Sequence, residues 1–337
     1  MLITGLRKEI KLRKILLVLL ILLLPLVLQC SQSEPTNIPD RLQLVEEIKT
    51  FEKELGFNET ENFRTYSPDI ESYDYFFYTP ETTLPYSLND PLLLCSKGSP
   101  ESYNDYLEGY DVFFYRIQAI AEVKTPITTS LIQAPLPRLI HIILHEDWHE
   151  QMDSTTGIEE PCAEVVSYVA AMLFAEGKYG RDSDVYKTLK GEVNNKLRAA
   201  EVYQRYYDEL SELYMLLSLG VITKTEGLSQ KTILLESLGE DLKDIWGKKP
   251  EQLNNAYIAF QMTYFRHFPL MYQVFSTTDS NLRKTMAIFQ SVPRQGAKFE
   301  DVDEVKSIET EVTDFLQGTL QKAMGASASI FQILTRS

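Results

Sequence analysis

The chain has 337 residues, 44% of them hydrophobic, with 33 basic against 48 acidic side chains and a formal charge of −15. So acidic a surface repels nucleic acid and anionic lipid, which excludes both as expected partners. The length is ample for a large buried core, held in one domain or in two closely packed lobes.

The first segment is read as targeting rather than fold. Arg7, Lys8, Lys11, Arg13 and Lys14 form a basic region, followed by an unbroken apolar run from Ile15 to Leu28 and then Cys30. This pattern reads as a secretory signal peptide over 1–29. The run is short for a membrane span, which needs about 20 apolar residues. A cysteine closing the apolar region resembles a bacterial lipoprotein signal, with Cys30 as the lipidated residue. Val27-Leu28-Gln29-Cys30 fits loosely, since a small residue usually precedes the cysteine. An uncleaved signal anchor is the competing reading. Either one places the body of the protein outside the cytoplasm, in the cell envelope on the periplasmic side, tethered to a membrane by residues 30–40. Losing 1–29 removes five basic residues and one acid, which moves the charge from −15 to −19.

Beyond the tether, 41–322 is expected to form one domain in three parts. In the first, 41–136, helical spacing of Leu42, Val45, Ile48 and Phe51 ends at Gly56 and Asn58. Two aromatic runs, Tyr73–Tyr78 and Tyr110–Tyr115, are predicted strands, the second extending through Ile117, Ile120 and Val123. Pro80, Pro85, Pro91 and Pro100 mark loops between them. In the second part, 137–180, one helix runs from Pro137 to about Asp153 and another begins near Glu160-Pro161. The third, 181–322, carries a long apolar stripe from Leu189 to Leu217 and further helices at 228–246, 250–275, 278–290 and 301–322, with Pro269 breaking the second of these four. Residues 323–337 are a tail. The fold class is α+β, predominantly α-helical: a small early sheet, zincin-like catalytic helices, then a helical second half. Cys95 and Cys162 could pair in an oxidising compartment, and two buried thiols are an equal alternative.

The chemistry concentrates in one helix. Of four histidines, His141, His145 and His149 fall within nine residues. His145-Glu146-Asp147-Trp148-His149 is an HExxH motif. Residues four apart share a helical face, so His145 and His149 can grip one metal ion, and Glu146 projects beside it as general base. His141, one turn earlier, is read as packed and bonded to backbone, with a pocket role as the alternative.

A catalytic zinc usually takes a third protein ligand. Met152 stands where a glycine would extend the motif toward a third histidine, which excludes that arrangement, and candidates for an acidic third ligand lie just downstream. Gly157-Ile158-Glu159-Glu160-Pro161-Cys162-Ala163-Glu164 resembles the glutamate-zincin pattern, with Glu160 as ligand and Glu164 accepting a hydrogen bond from the far nitrogen of His145. A residue before proline disfavours the helical region. Glu160 is therefore expected at the very start of its helix, and Glu159 and Glu164 remain rival ligands.

Leu55-Gly56-Phe57 with Phe63-Arg64-Thr65-Tyr66, then Tyr110-Asp111-Val112 ahead of the HExxH helix, resembles a family of bacterial predicted aminopeptidases, often lipoproteins. Leu253-Asn254-Asn255-Ala256-Tyr257, followed by Tyr264, is similar to that family's C-terminal signature. The resemblance spans about residues 41–290. The family's third-ligand segment reads Phe-Asn-Glu-Ser-Phe-Ala, against Ile158-Glu159-Glu160-Pro161-Cys162-Ala163; the glutamate and alanine keep their places. The resemblance implies a metallopeptidase holding one Zn²⁺ and acting on peptide substrates.

A hydrolase of this type needs a hydrogen-bond donor for its oxyanion. His267 and Tyr264 are candidates, on a stripe that otherwise reads as core packing. Asn254 and Asn255 read as caps or turn formers. Strand 110–123 is expected to align an extended peptide by strand addition. The alternative from another class is a non-catalytic, membrane-anchored binding or assembly lipoprotein with structural metal or none. An intact Glu146 argues against it, since a structural site needs no base.

Overall fold

A computed structural model describes residues 34–98, 107–120, 124–293, 299 and 301–334, the stretch 323–334 as backbone only. The signal-like run, Cys30 and Val123 lie outside the described residues. The structure is 62% helical with a small sheet early in the chain, an α+β fold with a helical majority.

The amino-terminal helix α1 spans Ile38–Leu55, capped by the Asn37 side chain and closed by Gly56 in the left-handed region, where a Cβ would be strained. The strands follow: β1 at Tyr66–Ser67, β2 at Tyr73–Pro80, β3 at Leu94–Lys97, β4 at Tyr110–Ile117 and β5 at Ile127–Thr128. β3, β2 and β4 form an antiparallel sheet in that order, with Phe77 opposite Phe113. β1 and β5 pair in parallel. The aromatic runs are thus strands, but the second ends at Ile117. The short strand at Leu94–Lys97 carried no alternation to find it by.

Among the described residues nine helices follow: α2 at Thr129–Ile132, α3 at Leu136–His149, α4 at Thr156–Tyr179, α5 at Asp184–Ser218, α6 at Lys224–Trp246, α7 at Asn255–Phe265, α8 at Phe268–Thr277, α9 at Leu282–Gln290 and α10 at Val302–Leu334. Pro269 opens α8, so the expected 250–275 helix is broken in two. The last helix continues to Leu334, across the segment expected to be tail.

Two apolar cores result. One packs α1, α3, α4, α8 and α9 around Ile140, Leu144, Trp148 and Val166. The other seals the inner sheet face, Phe77 and Phe113, with α5, α6 and α7. Helix α5 is long enough, 35 residues, to serve both cores. Cys95 and Cys162 are free, the first exposed and the second buried, so they form no disulfide. Among the described residues no helix is long and apolar enough to cross a membrane.

Asn254 caps α7 through Tyr257 N and also donates to Val112 O on β4 at 2.7 Å. Asn255 donates to Glu81 O and Thr83 O. Both asparagines pin the α7 start to the sheet.

Candidate metal centre

Helix α3 is largely buried, with Ile140, Ile143, Leu144 and Trp148 in the core and Arg138 exposed near its start. Its remaining face turns His141, His145 and Glu146 into a cavity of about 520 Å³ between the two cores, within the size range of small-ligand sites. The helix is held from behind. Asp147, fully buried, pairs with Lys49 of α1 and accepts a hydrogen bond from Thr60 at 2.7 Å. Trp148 meets Phe57 edge to face, with ring centroids 5.6 Å apart.

The chain then reverses through Gln151, whose side chain is tied to Asn58, and α4 returns against α3. Glu160 lies in the second turn of α4, not at its start as expected. The helix begins at Thr156, so Pro161 falls just past the first turn and costs a single backbone hydrogen bond. Other groups hold that start in place. Thr156 N donates to Asn89 Oδ1 at 2.7 Å, and Ser154 N donates to Glu159 Oε1 at 2.6 Å. Glu309 of α10 accepts from Tyr86 at 2.8 Å and from Thr155 at 3.3 Å, beside the positive end of the helix. Gly157 is required there, because a Cβ would lie 2.2 Å from Glu309 Oε1.

The outcome is a convergence of three donor atoms. His145 Nε2 stands 3.0 Å from Glu160 Oε2 and 3.2 Å from His149 Nε2, and the third edge, His149 Nε2 to Glu160 Oε2, is 3.6 Å. Two ligands each about 2.05 Å from one tetrahedral ion stand about 3.3 Å apart, so all three edges suit a single zinc. Two imidazoles and a carboxylate, with one side open to a cavity, are the donor set of a catalytic zinc site. The electrostatics agree. Burial pushes the Glu160 carboxyl up, but His149 and His145 outweigh it and hold it at about 2. Burial pushes His149 down, and Glu160 followed by Glu146 lifts it to about 9. A proton on His149 thereby balances the Glu160 carboxylate.

A second group, His141, His145 and Glu164, is also close enough to hold an ion. It would use the opposite nitrogen of His145: Nδ1 is 3.9 Å from Glu164 Oε1, and His141 Nε2 is 3.7 Å from Glu164 Oε2. Lys196 Nζ, however, already lies 2.8 Å from Glu164 Oε2. Despite burial, Lys196 and His141 hold that carboxyl well below the usual range. An ammonium supplies the charge a metal would bring, which leaves the first group as the metal candidate.

Both candidate ligand histidines carry a carboxylate beside the other ring nitrogen. Glu164 stands 3.9 Å from His145 Nδ1, and Glu159 stands 3.9 Å from His149 Nδ1, each about 1 Å beyond hydrogen-bond length. Glu159 and Glu164 therefore flank the cluster, and Glu160 enters it. Glu146 lines the cavity with no protein hydrogen bond among the described residues, and burial raises its carboxyl above the ordinary value. A carboxylate raised above its ordinary value and facing a cavity is suited to proton transfer.

The structure separates the remaining candidates. Tyr264 lines the cavity, its hydroxyl buried within the field of Glu160, Glu146 and Glu164. His267 does not line it. The ring lies 2.8 Å from Glu309 and serves the start of α4, so the expected donor role is withdrawn. His267 falls in the break between α7 and α8, off the continuous helical stripe that suggested it. His141 faces the cavity rather than backbone: its ring lies 3.9 Å from that of Tyr168, Nε2 has no hydrogen bond, and burial depresses it to about 4. Trp148 is core.

Tyr115, Arg138, Glu192 and Lys196 also line the cavity and were not foreseen. Tyr115 reads as one more strand aromatic, and Glu192 with Lys196 as an ordinary exposed i,i+4 pair. The outer edge of β4 is already occupied at Phe114, whose N–H donates to Gln252 Oε1 at 2.7 Å. Strand addition along 110–123 is thereby confined to Arg116 and the residues after it.

Comparison of the chain with protein-family models, with curated proteins and with solved structures finds no match.

Proposed function

We propose that the protein is a zinc-dependent peptidase, exported and tethered to a membrane through its lipidated amino terminus. The observation that carries this reading is the convergence of His145, His149 and Glu160 in a cavity wall, with the partnerless Glu146 carboxylate beside them. His145, His149 and Glu160 would hold a zinc ion, which would supply an acidified water and Lewis-acid polarisation of the substrate carbonyl. Glu146 takes the proton of the attacking water and passes it to the departing amine. Glu164 and Glu159 stand 3.9 Å from the far nitrogens of the two imidazoles and act on them electrostatically. Lys196 keeps Glu164 ionised for that task.

Tyr264 and Tyr115 supply the donors for the carbonyl oxygen as it gains charge. Burial raises both hydroxyls, so each stays protonated and able to donate at neutral pH. Tyr264→Phe is expected to lower kcat by roughly 10²–10³ with little change in KM, the range for losing one such donor. An unchanged kcat would remove Tyr264 from the mechanism. An extended peptide lies against the backbone after Arg116, where the sheet edge is not capped by Gln252.

The reading is tested on the purified protein. It should contain one equivalent of zinc by elemental analysis and cleave members of a peptide library. A chelator should abolish cleavage, and added zinc should restore it. Loss of either His145 or Glu160 to alanine should lower metal content and cleavage together. Cleavage that persists in metal-free protein would sink the scheme.

A further inference from the structure

Among the described residues, four carboxylates line the cavity: Glu146, Glu160, Glu164 and Glu192. Three have work within the centre described above. Glu192 does not, and it stands on α5, one turn from Lys196 and across from the metal-binding helices. Lys196 is engaged with Glu164 at 2.8 Å, and Arg138 Nε is bonded to Gln118. Among the described residues neither cation closes an ion pair with Glu192, although both act on it electrostatically. Partial burial raises its carboxyl, an imbalance that a cationic partner would offset.

The walls around it suit such a partner. Tyr168, Tyr203, Trp246 and Phe265 line the same cavity. Two of these rings already stabilise an ammonium, since Lys196 Nζ lies 5.5 Å from the Tyr168 centroid and 5.0 Å from that of Phe265. The chain's charge of −15 draws cationic peptides toward the protein as well.

We infer that Glu192 is a specificity-determining residue that binds a substrate ammonium group, either the free amino terminus of the peptide or a lysine side chain near the cleaved bond. This rests on the peptidase reading. Glu192 accepts charge-assisted hydrogen bonds from the ammonium, the aromatic walls exclude water from it, and Lys196 stays bound to Glu164.

The test reads binding rather than turnover. Full-length protein carrying Glu146→Gln holds peptides without cleaving them. Calorimetry on this protein compares an alanine pentapeptide with a free amine, its N-acetylated form, and an acetylated form with one lysine at successive positions. At least one ammonium-bearing peptide should bind roughly 10- to 100-fold tighter than the acetylated alanine peptide, the range for a hydrogen bond to a charged group. Adding Glu192→Gln should collapse that ratio toward one, and Glu192→Asp should keep part of it. Restoration by the free amine identifies the amino terminus as the source, and restoration only by lysine identifies a side chain. Equal binding of charged and neutral peptides overturns the inference and leaves the peptidase standing, as does a preference that survives Glu192→Gln. Absence of binding by every peptide overturns both.

Discussion

Glu146→Gln is expected to lower the proposed peptide hydrolysis by roughly 10²–10⁴, the range lost when a positioned general base is removed, while the proposed zinc stays bound. The two halves of this result separate the roles in the motif. Glutamine keeps the size of glutamate and cannot take a proton. Glu146 is not one of the three converging donors, so its neutralisation leaves His145, His149 and Glu160 in place. Affinity for zinc falls somewhat, because one negative charge leaves a buried site. Paired measurements of zinc stoichiometry and cleavage rate decide the outcome. A variant that cleaves at the parent rate removes Glu146 from catalysis, and with it the main argument against a purely binding protein. A variant that loses its metal shows instead that Glu146 is a ligand.

Lys49→Met destabilises the fold by about 3–5 kcal/mol, the usual cost of leaving one member of a buried ion pair alone. Asp147, the first of the two intervening positions of the motif, has no exposed surface, and its partners are Lys49 and Thr60. Lys49 also donates to Thr60 at 2.8 Å and lies 3.2 Å from Glu52, so its loss unties α1 from the back of α3. Replacing both members, Lys49→Met with Asp147→Leu, should recover most of the loss, since an apolar pair of similar volume needs no charge compensation. Chemical denaturation of the single and double variants gives the coupling directly. A Lys49→Met protein within about 1 kcal/mol of the parent would show that water reaches Asp147. The effect extends to the metal: if α3 shifts, His145 and His149 lose their common aim, and zinc affinity falls along with stability.

The helical half of the fold was legible because its signals are local. Stripes such as Leu189 to Leu217 repeat every three or four residues, and the Asn254 cap sits at the start of its helix. The central motif was legible for the same reason, since His145 and His149 share a face by helical geometry alone. Glu160 could be named from its spacing, but its backbone position was misjudged. The pre-proline rule describes a dipeptide, and contacts from Asn89 and Glu309, distant in sequence, hold the α4 start one turn earlier.

What the sequence by itself determined was therefore the helical class, the aromatic strands and the pair of histidines one turn apart. Only the tertiary structure decided which side chains share the cavity. Tyr115 comes from a strand, Glu192 and Lys196 from α5, Tyr264 from α7 and Arg138 from α3. No spacing along the chain connects them, because their proximity follows from the packing of two cores around one cleft. The same packing sent His267 to Glu309 and out of the site, and gave Lys196 to Glu164, so that among the described residues Glu192 closes no ion pair. Periodicity reports that a residue faces inward, and the angle between packed elements decides what it meets there.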